Sequence, residues 1–600
     1  MRIAVLDTDR CKPKKCAHEC YKFCPGVRSG NETITFEKDN PNSQPTIHEN
    51  LCMGSGICAK RCPFHAIQIV NTPEQLDDSQ LTHRYSVNSF VLFRLPIVKE
   101  GRVTGLVGQN GVGKTTALQI LSGEMPPNLG RYENPPSWTE VIQFFRGTEL
   151  QNLFEKLSSG DIKTVRKPQH VDRLTKDQKD LVVGDLLDKV DERGVSEQIQ
   201  TELSFEAILD RKLGQLSGGE LQKVTIGLAS ARAADIYLFD EPSSFLDISE
   251  RLKVSRFIRR LSEEGKTVIV VEHDLAVLDY LSDLVCVFYG QPGAFGIVSN
   301  PHGVREGLNI YLRGYIPDEN LQFRKREMIF KKSTTPLEAI TSEQPILEYN
   351  SMEVMLGDFH LAVRPGKIHR GETIGILGPN GIGKTTFVQL LAGLIKPSKG
   401  EPPVLKEELK ISYKPQYIAF SDPSMAVMDY LLTSDRGIVM SSWFKSEVLR
   451  PFDIERLADQ ELESLSGGEA QKVAISYCLA KEADLYLLDE PSAYLSVEDR
   501  LSAAKIIRRR IKNEERAAFI VEHDALLLDD VSDTLMVFLG APGLIAKAYA
   551  PTDLRRGMNR LLGSLGVTFR RDQETGRPRV NKTGSKKDRE QKLQGEYYYA

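Results

Sequence analysis

Gly108-Gln109-Asn110-Gly111-Val112-Gly113-Lys114-Thr115-Thr116 recurs further along the chain as Gly378-Pro379-Asn380-Gly381-Ile382-Gly383-Lys384-Thr385-Thr386. Both stretches fit G-x-x-x-x-G-K-[ST]. Each follows a short apolar run, Val103–Val107 or Thr373–Leu377, that predicts a strand. The glycines let the backbone curl so that consecutive N–H groups face phosphate oxygens, and the helix N-terminus that follows favours an anion. Lys114 and Lys384 are placed to neutralise the β- and γ-phosphates of ATP, and Thr115 and Thr385 to ligate Mg²⁺.

Three more motifs repeat in the same order. Leu216-Ser217-Gly218-Gly219-Glu220 returns as Leu465-Ser466-Gly467-Gly468-Glu469, and Tyr237-Leu-Phe-Asp240-Glu241-Pro242 as Tyr486-Leu-Leu-Asp489-Glu490-Pro491. Val271-Glu-His273-Asp274 returns as Val521-Glu-His523-Asp524. Ser217 precedes Asp240 by 23 residues, as Ser466 precedes Asp489. Four motifs, ordered alike and spaced alike, mean an internal duplication. One interval differs: Lys114 to Gln169 spans 55 residues, Lys384 to Gln416 only 32. The extra residues fall within about 136–165, where apolar spacing predicts a helix–loop–helix insertion, either a tolerated excursion or a contact surface for a large partner.

Asp240 and Asp489 end apolar strand candidates and are expected to hold the metal through water. Glu241 and Glu490 are the expected bases or positioners of attacking water, which at neutral pH must be oriented in line with the γ-phosphate. His273 and His523 are expected near the γ-phosphate, and Gln169 and Gln416, in Lys-Pro-Gln-His and Lys-Pro-Gln-Tyr, to sense metal and water. Phe90 and Phe359, which precede their lysines by 24 and 25 residues, are either adenine platforms or core aromatics, with Tyr85 an alternative in the first half.

Composition sets bounds on the rest. The chain has 600 residues, 40% hydrophobic and 27% charged, which argues for several globular domains and against collagen, coiled coil or wholesale disorder. Its net charge of −4 gives no global attraction to nucleic acid. The apolar run Thr267–Val271 ends at Glu272, so no membrane span is expected. Met1–Arg10 carries no hydrophobic signal core, which fits a cytoplasmic location.

With the Leu-Ser-Gly-Gly-Glu motif present twice, the sequence resembles the ATP-binding-cassette (ABC) ATPases. The resemblance implies a head-to-tail pseudo-dimer of cassettes within one monomer, each ATP lying between one phosphate loop and the opposite signature. One site would pair Lys114 with Ser466, Gly468 and Glu469. The other would pair Lys384 with Ser217, Gly219 and Glu220. The γ-phosphate would hold the halves together, and hydrolysis would let them part. One departure stands out: the segment after the acid pair ends in Asp247 in the first half but in Ser496 in the second. The two sites are therefore expected to differ in turnover.

Seven of nine cysteines fall before residue 63. Without a secretory signal, that density points to metal ligation. The runs are Cys11-x₄-Cys16-x₃-Cys20-x₃-Cys24-Pro25 and Cys52-x₂-Ser55-x₂-Cys58-x₃-Cys62-Pro63. The second resembles the bacterial ferredoxin run with Ser55 in place of a cysteine. That resemblance implies one [4Fe–4S] cluster on Cys11, Cys16, Cys20 and Cys62, and another on Cys24, Cys52 and Cys58 with Ser55 at the eighth ligand position. The second cluster would be Ser-ligated, weakly held or reduced to three irons, unless Ser55 is an engineered change. Zinc is the competing metal. Cys286 and Cys478 stand among apolar neighbours and read as core residues.

Phe288-Tyr-Gly290-Gln-Pro-Gly293 matches Phe538-Leu-Gly540-Ala-Pro-Gly543, and Arg305-Glu-Gly307-Leu-Asn309 matches Arg555-Arg-Gly557-Met-Asn559. These read as connectors. Arg570–Lys592 holds nine basic and four acidic residues, either a solvated tail, a brace or an RNA-phosphate contact.

The expected organisation is α/β: an N-terminal α+β ferredoxin-like iron–sulfur domain (1–76), ABC nucleotide-binding domain 1 (77–294), hinge 1 (295–342), ABC nucleotide-binding domain 2 (343–540), and hinge 2 with a basic tail (541–600). Cysteine runs fused to twin cassettes resemble the ABC subfamily E ribosome-recycling ATPases, the RNase L inhibitor family. Gly595-Glu-Tyr-Tyr-Tyr and Arg577-Pro-Arg-Val-Asn-Lys are also similar. Short hinges without extensions suit an archaeal member. The resemblance implies ATP-driven splitting of ribosomes after termination, a role with the small subunit at initiation, and ribosomal RNA and a release factor as partners. Two other readings are an ATP-gated electron-transfer protein and the ATPase subunit of a transporter.

Overall fold

The computed structural model describes residues 2–37, 40, 42–71, 78–169, 178–330, 345–401 and 409–598. The expected boundaries at 76/77 and 342/343, and the terminal Tyr599, lie outside the described residues. By contact the chain divides into two compact units. The first comprises Met1–Ser244, Arg256–His273 and Leu281–Arg326, the second Phe245–Ser255, Asp274–Tyr280 and Glu327–Ala600.

In the first unit, apolar runs too short for helices become the strands of a nine-stranded sheet. Its order is Leu81–Arg84, Val91–Phe93, Phe295–Val298, Leu284–Gln291, Val103–Gly108, Thr267–Val271, Ile236–Asp240, Thr164–Lys167, with His302–Gly303 paired to Leu284–Gln291. The last five strands of that order run parallel. Val103–Gly108, Ile236–Asp240 and Thr267–Val271 are buried along their whole length, as continuous Val/Ile/Leu runs covered on both faces should be. Adjacent parallel strands end on one side, so the phosphate loop, the acid pair and His273 emerge together.

The second unit repeats the topology: Met352–Leu356, Phe359–Val363, Ile545–Ala548, Thr534–Ala541, Thr373–Leu377, Ala517–Val521, Leu485–Asp489, Ile411–Lys414, with Thr552–Asp553 paired to Thr534–Ala541. These sheets correct two expected boundaries. Phe295–Val298 pairs with both Leu284–Gln291 and Val91–Phe93, so 294/295 cuts a sheet, and Ile545–Ala548 does the same for 540/541. A four-residue strand after a Pro-Gly turn reads as linker because it is too short to show periodicity.

Helices Trp138–Phe144 and Glu149–Ser159 occupy the inserted stretch of the first cassette. The first begins with a capping box between Ser137 and Glu140. Val141, Phe145, Leu150 and Phe154 bury the pair against the core that holds the phosphate-loop helix Lys114–Leu121.

The N-terminal residues form a separate small core around Ala4, Ile34, Ile47 and Ile67, into which Cys20, Cys24 and Cys58 also pack. Strand Arg2–Leu6 pairs antiparallel with Ile67–Asn71. Asn88, in a left-handed conformation at φ 52°, ties this module to the cassette hairpin. Its side-chain oxygen accepts from the Ile47 N–H at 2.7 Å, and its amide donates to the Ile47 and Ala4 carbonyls at 2.9 and 3.3 Å. Arg84 adds a two-pronged ion pair to Glu49.

The basic C-terminal stretch is folded, not a solvated tail. Hairpin Phe569–Arg571/Pro578–Val580 and helix Lys586–Gln594 pack in the second unit. Arg579 grips Asp279 through both carboxylate oxygens at 2.7 and 2.9 Å, and the fully buried Arg577 lies 3.6 Å from the same group. Arg571 binds Asp529 at 2.7 Å. These three arginines are thus committed to aspartates.

Candidate functional site

In the first cassette, Lys114 begins its helix after Gly113, whose φ of 91° suits glycine. The Lys114 ammonium donates to the carbonyls of Gly108 and Gln109 at 2.9 and 2.6 Å. Lys384 donates likewise to Gly378 and Pro379 at 2.9 and 2.7 Å, and burial lowers its pKa to about 8. Gly108, Asn110, Gly111, Gly378, Asn380 and Gly381 form the curled loops ahead of these lysines, and Thr116 and Thr386 the first helical turns.

The Thr115 hydroxyl donates to Asp240 at 3.0 Å. Burial, with Glu241 next, raises the Asp240 carboxyl to about 6. Asp489 is raised to about 6 by burial as well; Thr385 neighbours it, yet among the described residues neither buried carboxylate oxygen has a hydrogen-bond partner in good geometry. A fully buried, orphaned carboxylate beside a threonine hydroxyl is a donor set that a divalent cation would complete.

Glu241 and Glu490 behave oppositely. Burial works to raise both, but His273 and His523 beside them, together with the phosphate-loop lysines, hold each at about 2. His273 Nε2 lies 3.4 Å from Glu241 and His523 Nε2 3.2 Å from Glu490. Gln169 and Gln416 donate to the same carboxylates at 2.6 and 2.8 Å. Each acid pair therefore offers one ionised carboxylate, already oriented, next to one of higher pKa that suits a cation.

Phe90 and Phe359 sit against the phosphate loops. A Cβ on Gly113 would lie 2.8 Å from the Phe90 ring, and one on Gly383 2.8 Å from Phe359. Tyr85 Oη shares a 2.9 Å hydrogen bond with Thr116 Oγ1. The signature serines Ser217 and Ser466 cap helices Gly218–Ala231 and Gly467–Leu479, each accepting from the N–H of Glu220 or Glu469. Gly219 lies in the first turn of its helix, and a Cβ on Gly468 would come within 2.9 Å of the Tyr494 carbonyl.

Sequence reasoning missed four residues here. Gln222 and Gln471 donate to the carbonyls of Glu241 and Glu490 at 2.6 and 2.7 Å. Lys167 donates to the Asp240 carbonyl at 3.0 Å, and Lys414 to those of Asp489 and Glu490 at 2.8 and 3.2 Å. The available signal was recurrence: both halves place glutamine two residues after the signature glutamate and lysine two residues before the Gln169/Gln416 position.

In the N-terminal module, Cys11, Cys16, Cys20 and Cys62 line one pocket with Pro13, Pro63 and Phe64. Cys24 and Cys52 neighbour Cys58. Burial, with nearby thiols, raises Cys11 to about 11, and burial raises Cys20 to about 12 and Cys58 to about 11. Among the described residues no group of three or more His, Cys, Asp or Glu is placed to hold a single metal ion. Thiols spread around a cavity suit the wider cage of a cluster, whose metal atoms sit at separate corners. Backbone N–H groups of Gly54 and Ala66 point at the sulfurs of Cys52 and Cys62 at 3.4 Å. Ser55 is exposed and accepts from the Ile57 N–H at 3.5 Å.

The ABC transporter family model matches residues 97–244 and 365–493, and the model described as a possible Fer4-like domain in RNase L inhibitor matches residues 1–32. An uncharacterised ABC transporter ATP-binding protein of Methanocaldococcus jannaschii is 52% identical, covering 100% of this chain and 98% of its own. Translation initiation factor RLI1 of Saccharomyces cerevisiae is 46% identical, with coverage of 100% and 98%. A chain solved as ribosome-bound archaeal Pelota and ABCE1 superposes with a TM-score of 0.93 at 53% identity, covering 100% of this chain and 99% of that one.

Two phosphate-loop sites with acid pairs, joined to a thiol-lined module, define an ATP-hydrolysing twin-cassette protein that binds ATP and carries an iron–sulfur domain. The chain belongs to ABC subfamily E, the RNase L inhibitor family.

Proposed function

We propose that this chain is a cytoplasmic ribosome-recycling ATPase, in which ATP-driven closure of the two cassettes parts the ribosomal subunits after termination. The observation that carries the reading is the joining, over the full chain, of a thiol-lined module to twin cassettes matching ABCE1 on the ribosome with Pelota. A second similar structure, at 52% identity and a TM-score of 0.82, is a complex of an archaeal ribosome recycling factor with the stalk protein aP1, covering 88% of this chain and 100% of that one. The partners are accordingly the ribosome, its small subunit and rRNA, and a release-factor-like protein. The name of the fungal relatives favours a further role at initiation.

In hydrolysis, the phosphate loops cradle the triphosphate and Lys114 and Lys384 turn from loop carbonyls to its β- and γ-oxygens. Glu241 and Glu490, fixed by glutamine and histidine, orient the water that adds to the γ-phosphorus as the bridging bond to ADP breaks. Phe359, and Phe90 or Tyr85 in the first cassette, would stack on the adenine. Thr115, Gln169 and Asp240, and Thr385, Gln416 and Asp489, would hold Mg²⁺, which supplies charge neutralisation on the phosphates. In the N-terminal module, Cys11, Cys16, Cys20 and Cys62 would hold one [4Fe–4S] cluster, and Cys24, Cys52 and Cys58, with Ser55 at the remaining corner, a second.

Sedimentation of ribosomes with ATP, termination factors and this protein tests the function. Conversion of whole ribosomes to subunits is expected. Particles that stay whole in the presence of all three components remove the recycling reading.

A further inference from the structure

Lys167 and Lys414 are each only 1% exposed, yet among the described residues their ammonium hydrogen bonds go to main-chain carbonyls alone. Burying an ammonium without a paired carboxylate is costly, and the same cost is borne twice, at matched positions. What the two lysines share is the peptide they hold. Glu241 and Glu490 sit at φ 47° and 46°, a left-handed conformation unfavourable for a side chain with a Cβ. The N–H of each donates across the sheet, to Val271 and Val521, at 2.9 Å. Gln222 and Gln471 hold the carbonyl on the far side. The lysine fixes the carbonyl on the near side, that of Asp240 or Asp489.

Two residues along the same segment, Gln169 and Gln416 hold the carboxylate of the same glutamate. Between lysine and glutamine lies a proline, Pro168 or Pro415, whose locked φ and missing N–H stiffen the link. Resting on the reading of Glu241 and Glu490 as the groups that orient water, we propose that Lys167 and Lys414 are positioning residues for hydrolysis. Each Lys-Pro-Gln segment sets both the backbone and the carboxylate of one catalytic glutamate. The ammonium acts as a fixed donor behind the acid pair and does not touch the nucleotide.

The test uses the full chain with both lysines changed to Met, alongside a Glu241→Gln/Glu490→Gln control, in steady-state ATP hydrolysis and equilibrium ATP binding. The expected result is a fall in kcat on the order of 10- to 100-fold, the scale of a small misplacement of a reacting group, with ATP affinity within about threefold of the parent. Turnover within twofold of the parent overturns the proposal, as does a loss of ATP binding equal to the loss of turnover, which marks a purely structural role. Should the Met variant fail to fold, Lys167→Arg/Lys414→Arg decides, since it keeps charge and donors. Retained turnover then supports the proposal, and lost turnover with ATP bound overturns it. A control that hydrolyses normally refutes the role of the glutamates themselves, separating that failure from this one.

Discussion

The two cassettes share strand order, acid pair and histidine, yet they part at the segment after the acid pair. Asp247 uses one carboxylate oxygen to cap its helix, accepting from the Glu250 N–H at 3.0 Å. With the other it accepts from the backbone N–H of Asn380, in the second phosphate loop, at 2.9 Å. Ser496 has one oxygen, and it caps helix Val497–Asn513 through the Asp499 N–H at 3.3 Å. Both residues are good N-caps; only the carboxylate has an atom to spare. Serine therefore replaces aspartate as a cap but has no second oxygen to offer.

The cassettes also differ in what grips the helix after the histidine. Asp279 and Asp529 occupy the same repeat position, six residues beyond His273 and His523. Asp279 faces two arginines, Arg577 and Arg579, whereas Asp529 faces Arg571 and the Tyr598 hydroxyl. One C-terminal segment thus holds the same position from both repeats, with unequal charge.

The largest effect is expected from the shared chemistry. Glu241→Gln and Glu490→Gln together should lower ATP turnover by at least about 100-fold, the scale of a positioned base, with the ATP-bound state trapped. Single variants then show how unequally the cassettes contribute, read by steady-state hydrolysis. Next comes the C-terminal grip. Asp279→Ala takes the paired carboxylate from the fully buried Arg577, while Arg579 keeps Asp572 at 3.3 Å, and should cost about 3 kcal/mol, as for a broken buried ion pair. Asp529→Ala, which strands the less deeply buried Arg571, should cost less, and chemical unfolding that ranks them in reverse breaks the comparison.

Binding of Mg²⁺ without nucleotide, which competes with protons for Asp240 and Asp489, should weaken between pH 7 and pH 5, read by metal titration. Asp240 and Asp489 take up a proton as pH drops through about 6, whereas Glu241 and Glu490, near 2, stay ionised. Affinity that stays flat across this range shows that neither aspartate holds the cation. The smallest effect belongs to the departure itself. Asp247→Ser keeps a capping oxygen but loses the reach to Asn380. In a Glu241→Gln background it should slow the second cassette about threefold, the scale of one hydrogen bond, and an unchanged rate means that contact is idle.

What could be read from the chain in advance follows from how local each requirement is. The phosphate loop, the acid pair and the cysteine runs are short segments whose chemistry needs particular residues at fixed spacing, so their recurrence exposed the cassette fold and pointed to the candidate site residues. The insertion was legible too, because its helices carry their own periodicity and Ser137 its own cap. Phe295–Val298 was not, since a strand of four residues is defined by its partners.

The sequence by itself determined that two ATP sites and a thiol-rich module share this chain. Only the tertiary structure decided that Lys167 and Lys414 lie beneath the acid pairs, that Asp247 spends its second oxygen on Asn380, and that the basic C-terminal arginines close on Asp279 and Asp529. Those contacts join residues distant along the chain, and their energy comes from burial and geometry that no local pattern of side chains encodes.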